Sequence, residues 1–248
     1  MSAYGQYIQE PLYRPTKVPG RPQQPLFQPG TIQIWPPTEL ISLTDQDKLL
    51  ELYFEHVHTS MPILDVITMN QELAKCRANN DCFLSPLFFY ALFALASRHA
   101  RQDNPLYAMG DTFMQQAVAH RDGNFGYPCI ASVLGLLLMV EYLQQMRDRP
   151  HASYAWMLAR EAIGMVTDLG IYKPCNVSPD PDDQELAVRT FWAAFTTDRL
   201  MSLTYGRPFV FEEKDMYAFI FFIYMSMTEH LINHTIIGRI YLKLQVVH

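Results

Sequence analysis

Between Glu185 and Pro208 the chain reads as one long helix. At about 100° per residue, Val188, Trp192, Phe195 and Leu203 share one apolar stripe, with Phe191 at its edge. Arg199 falls almost in the middle of that stripe. A guanidinium cannot shed its charge, so this position demands carboxylate or carbonyl partners from another element. Gly206 and Pro208 then stop the helix, a flexible residue followed by one that cannot continue it. Everything else in the chain has to pack around this rod.

The remaining segments read as helices too. Thr44 is the expected cap of a first helix, with Asp45 and Asp47 in its first turn. Leu50, Tyr53, Phe54 and Val57 give it one apolar face, and Pro62 forces extended chain after it. Ser85 and Pro86 open a helix as cap and first residue, and Leu87 to Ala96 is apolar all round, the mark of a central core helix. Asn104-Pro105 starts another, running to about His120, and Gly123, Gly126 and Pro128 make a loop. Ile130 to Gln145 is a buried helix on the stripe of Leu134, Leu137 and Leu138, with Glu141 in its middle. Glu141 is therefore the first candidate for a buried ion pair with Arg199. His151 to Leu169 is one more helix, stopped by Gly170. The fold expected is all-α, a multi-helix orthogonal bundle.

Both ends differ from this body. Residues 1–41 hold eight of the seventeen prolines and read as a disordered Pro-rich tail or linker. Residues 42–215 form the expected domain. Residues 216–248 read as atypical, very apolar C-terminal helices and an incomplete domain end, with a tendency to self-association that points to a homodimer.

Composition narrows the chemistry. With 49% hydrophobic residues in a chain of 248, a sizeable core is available. A net charge of −6 argues against a domain that grips phosphate backbones by itself. No apolar run approaches the roughly 18 residues needed to span a bilayer, and no secretory signal opens the chain, so no membrane partner is expected. Cys76, Cys82, Cys129 and Cys175 form no Cys-x-x-Cys unit. No zinc site is encoded, and reduced, buried thiols of an intracellular protein are the expectation. His56 and His58, two apart, lie on different helix faces and make no metal pair. The acidic cluster Asp180, Asp182, Asp183 and Glu185 is interleaved with Pro179 and Pro181, and the dipole of a helix N-terminus explains it without Mg²⁺. No phosphate loop or nucleophile motif is present, so no catalytic, cofactor-binding or metal-binding residue is assigned and the chain is not read as an enzyme. The residues leave two classes open: a regulatory or interaction module, and a helical small-molecule-binding protein or enzyme with a polar pocket near Arg199, Glu141 and Asp168.

The run Arg189-Thr190-Phe191-Trp192-Ala193, followed by Phe195, Asp198-Arg199-Leu200, Ser202-Leu203 and Gly206-Arg207-Pro208, resembles the signature of the fungal-specific transcription factor domain. This is the regulatory middle homology region of fungal zinc-cluster transcription factors, including the xylanolytic activator type. The segment from Leu49 to Leu64, with its His58-x-x-x-Pro62-Ile63-Leu64 turn, is similar to the family's opening. Ala155-Trp156 and Asp168-Leu169-Gly170 are similar to its next helix. The resemblance runs from about Leu49 to Asp215 and marks Arg189, Phe191, Trp192, Asp198, Arg199, Gly206, Arg207 and Pro208 as signature positions. It implies a nuclear regulator of transcription by RNA polymerase II that answers to a small-molecule effector or a coregulator protein. In the family, DNA and zinc belong to a cysteine-rich cluster N-terminal to this domain. That module is not encoded in these residues, and the sequence reads as truncated or as a short form.

Overall fold

In the computed structural model, residues 40–78, 82–123, 128–146, 149–172 and 181–212 are described. Within them the chain is all-α: α1 Leu43–Leu52, α2 Val66–Arg77, α3 Pro86–Ser97, α4 Pro105–Ala108, α5 Gly110–Gly123, α6 Ile130–Gln144, α7 Arg149–Leu169 and α8 Pro181–Tyr205. Almost all of the Pro-rich tail, Cys175 and the expected helices of 216–248 lie outside the described residues.

The core is built outward from α3. Ser85 accepts from the Phe88 amide and Pro86 needs no partner for a missing N–H, so the helix starts where sequence chemistry places it. All twelve of its residues are buried. It packs against α1, α5 and α6, while α6 in turn packs against α7 and α8. Gly135 of α6 lets the helices close up, for a Cβ there would lie 2.8 Å from Leu87 Cγ and 3.2 Å from the Phe88 backbone.

Three elements differ from expectation. The first helix is capped by Ser42, whose Oγ accepts from the Asp45 amide, rather than by Thr44. Its end widens into a π-helical turn, Tyr53–Val57, closed by His58 N–H donating to the Tyr53 carbonyl at 2.9 Å. The helix expected from Pro105 breaks at Met109 into α4 and α5. Finally, α2 fills a stretch for which the sequence suggested no element. Its hydropathy contrast is weak, but it had a start signal: Asp65 accepts from the Thr68 amide at 2.9 Å and from its hydroxyl at 2.6 Å.

The expectation of reduced cysteines is overturned at one pair. Cys76, at the end of α2, and Cys82, ahead of α3, are joined by a disulfide. Their six-residue separation carries no motif, which is why spacing alone did not reveal it. Cys129 is free and half-buried, and its sulfur accepts from the Ser132 amide as the cap of α6.

Candidate functional site

The face that α8 buries consists of Ala187, Thr190, Phe191, Ala194, Thr197, Asp198 and Met201, spaced by threes and fours. Phe191, expected at the edge, is at the centre and fully buried. The expected stripe is the flank: Val188, Trp192 and Phe195 are half-buried and Leu203 is 83% exposed. Small residues explain the rotation. Ala187 and Ala194 let the α8 backbone approach its neighbours closely, and a stripe drawn through large side chains does not register them.

Helix α8 ends at Gly206, whose φ of 62° is in the left-handed region, and Arg207 N–H donates back to the Ser202 carbonyl at 3.2 Å. The chain then folds back, and the signature residues hold it there. Asp198 Oδ2 accepts from the amides of Val210 at 2.8 Å and Phe211 at 3.1 Å. Its Oδ1 lies 3.4 Å from Arg160 Nη1 of α7, and the carboxylate is only 1% exposed. Arg160 also donates to the Pro208 carbonyl and lies 4.0 Å over the Trp156 ring. Arg207 sits over the same ring at 4.9 Å.

Arg199 receives the carbonyl partner that its position demanded. Its Nη2 donates to the Phe211 carbonyl at 2.8 Å, and its guanidinium lies over the rings of Phe209 and Phe195. Phe211 is thereby pressed into the core beside Phe191, 5.3 Å between ring centres. The expected ion pair with Glu141 is not formed: among the described residues no carboxylate oxygen of Glu141 lies within 4 Å of a cationic nitrogen. Glu141 is half-buried on α6, and burial holds its carboxyl above the usual range. Asp168 is exposed. The structure therefore does not gather Arg199, Glu141 and Asp168 into one polar pocket. The buried acid of the signature is Asp198, and its cation, Arg160, comes from a helix that sequence reasoning did not link to it.

Arg189 works at the other end of α8. It donates to Glu185 along the helix and to the Pro62 carbonyl at 3.1 Å, tying α8 to the turn after α1. The signature is thus a set of fasteners. Asp198, Arg199 and Arg160 close one end of α8, and Arg189 anchors the other.

A concavity among the described residues lies elsewhere, between α1 and α2. It is a groove of about 930 Å³, lined by Leu50, Phe54, Val66, Leu73 and Ala74 with the polar side chains of Asp47, Glu51, Asn70 and Arg77. Arg77 bridges it, donating to Asp47 Oδ1 at 2.7 Å and to Gln46 Oε1 at 3.2 Å. None of Arg199, Glu141 and Asp168 lines it. Among the described residues no group of three or more His, Cys, Asp and Glu is placed to hold a metal ion, and no helix is long and apolar enough to cross a membrane. In the acidic cluster, Asp182 and Asp183 sit in the first turn of α8, while Asp180 lies outside the described residues.

Comparison with known proteins gives this arrangement a context. Residues 50–221 match the family described as the fungal specific transcription factor domain. An uncharacterized transcriptional regulatory protein of Schizosaccharomyces pombe is 26% identical over 174 residues, covering 68% of this chain and 26% of that protein. Cutinase transcription factor 1 beta of Fusarium vanettenii is 26% identical over 208 residues, covering 81% of this chain and 23% of the relative. Cutinase transcription factor 1 alpha of the same fungus is 27% identical over 169 residues, 65% of this chain and 18% of the relative. The chain spans about a quarter of the length of these relatives, or less. No solved structure matches it. The family match covers well over half of the chain and includes both ends of the fastened α8, so the chain belongs to the fungal specific transcription factor domain family.

Proposed function

We propose that this domain couples the binding of an effector or coregulator to transcription by RNA polymerase II in the nucleus, and that it performs no catalysis of its own. The family match across residues 50–221 carries the reading, and the transcriptional names of the relatives support it. In this reading a zinc-cluster module contacts DNA and the helical domain does not. The net charge of −6 agrees with that division of labour. The groove between α1 and α2, open to solvent and lined by both apolar and charged side chains, is the place on the described surface where an effector or a partner segment could dock.

The test joins the full chain to a heterologous DNA-binding module and an activation segment at a reporter promoter. Reporter output is expected to shift several-fold when the chain is included, and to change again when Ala74→Trp fills the groove from an exposed position. Output indifferent to the chain would refute the regulatory reading. Tight, salt-sensitive binding of the isolated chain to random duplex would refute the division of labour.

A further inference from the structure

Helix α2 forms one wall of the groove; Met69 and Leu73 seat it on the core, and its polar and covalent ties to other segments cluster at its C-terminal end. Glu72 accepts from the Phe83 amide at 3.0 Å, Arg77 reaches Asp47, and Cys76 is bonded to Cys82. At the other end Ile67 is 71% exposed. The residues of α2 that line the groove include Leu73, Ala74 and Arg77, within one turn of Cys76. Cys76 is thus placed beside the groove-lining end of this wall.

We propose that Cys76 and Cys82 form a reversible dithiol–disulfide switch that sets the position of the α2 wall of the groove. A bridge across six residues closes a short loop and stabilises the fold less than one spanning a domain, so its loss is expected to leave the rest of the bundle in place. Cys82 is half-buried and offers its sulfur to a small thiol, while Cys76 is buried. A glutathione thiolate attacks Cys82 Sγ, the Sγ–Sγ bond breaks, and Cys76 leaves as a thiolate that takes up a proton. A second glutathione thiolate attacks the mixed disulfide. Cys82 is released and protonated, and glutathione disulfide forms. Two electrons and two protons pass to the protein from two glutathione molecules. The reduced Cys82 thiol has an acceptor waiting, since its sulfur lies 3.4 Å from the Leu84 carbonyl. Near Cys76 the ties of α2 to the rest of the chain are then the Glu72–Phe83 hydrogen bond and the bonds of Arg77 to Asp47 and Gln46, while Met69 and Leu73 stay in the core. The inference rests on the nuclear reading for the glutathione pool that the pair meets, where a disulfide is regulatory rather than permanent. The structural response can be read in vitro whatever the compartment.

The experiment equilibrates the full chain in glutathione buffers from oxidising to reducing, counts free thiols by alkylation and mass spectrometry, and follows amide hydrogen exchange. Reduction at the pair is expected to be complete in excess glutathione and reversed by glutathione disulfide. Exchange over residues 69–78 should rise about tenfold on reduction, while α3 and α6 stay protected. Cys129→Ser should respond as the parent does, and Cys76→Ser should show the reduced pattern in every buffer. Should Cys76→Ser fail to fold, Cys82→Ser makes the same comparison. A bond that withstands glutathione overturns the proposal, as does equal exchange in the oxidised and reduced chains. A null reporter result with the exchange response intact would remove the transcriptional reading and leave the switch standing.

Discussion

Asp198 shows how much one side chain can hold. Its two oxygens satisfy two backbone amides and face one guanidinium from a position closed to water. Asp198→Ala removes those acceptors together and leaves Arg160 without its carboxylate. We expect a loss of about 3 kcal/mol in a urea melt, with the segment after Gly206 becoming protease-sensitive before the rest unfolds. A loss under 1 kcal/mol would mean that the fold-back is held by Phe211 alone (about the net value of one neutral hydrogen bond). Glu141 illustrates the opposite case, a half-buried carboxyl with no cation in reach among the described residues. Its raised pKa means that the folded state resists ionisation, so stability is lost as pH rises above the ordinary value of 4.5. Glu141→Gln should therefore raise Tm near neutral pH, by about 2 °C, and leave it unchanged in mild acid. At this scale the sequence was half legible. That Arg199 needed a carbonyl or carboxylate from another element follows from its position, and Phe211 supplies the carbonyl. Which acid would be buried does not follow, because Asp198 and Glu141 look alike until three-dimensional neighbours decide which is satisfied.

Among the elements, starts and stops marked by Pro or Gly were the readable ones, while the caps Ser42 and Asp65 were not read. Ser85-Pro86 opens α3, and Gly170 and Gly206 end α7 and α8 in left-handed conformations. Helix α2 and the true buried face of α8 were not readable. Both depend on small or polar residues whose burial is conferred by neighbours, and hydropathy patterns report only the intrinsic part. The same distinction predicts opposite outcomes for two glycines in helix interiors. At Gly164 an added Cβ meets nothing within 4 Å, so Gly164→Ala should gain about 0.5–1 kcal/mol from helix propensity. At Gly135 the same change meets the Phe88 backbone, which cannot swing away. Overpacking of about 1–3 kcal/mol outweighs the propensity gain, so Gly135→Ala should lower stability in the same assay. If both variants move in the same direction, the close approach of α3 and α6 is not what restricts position 135.

Across the whole molecule, burial also sets the response to acid. His58, His99 and His120 all have pKa values lowered from 6.5, each chiefly because burial disfavours the charged ring. For His58 the nearby Arg189 adds to this and Asp65 opposes it; for His99, His56 and Arg98 add. A base whose folded pKa is depressed binds fewer protons folded than unfolded, so its contribution is intact above 6.5 and is lost as pH falls through that value. Glu141 has the reverse slope, but it is one group against three. Stability should therefore fall as the medium is acidified from neutrality. Asp45 and Asp65, held below the ordinary 3.8 mainly through hydrogen bonds to their carboxylates, add a further loss once pH drops below that value. Thermal melts of the parent and of Glu141→Gln across this range separate the terms. Removing Glu141's opposing slope should enlarge the gap in Tm between neutral and mildly acidic solution. If instead the gap narrows, Glu141 is favoured in its ionised form by the folded state, and burial does not set its slope.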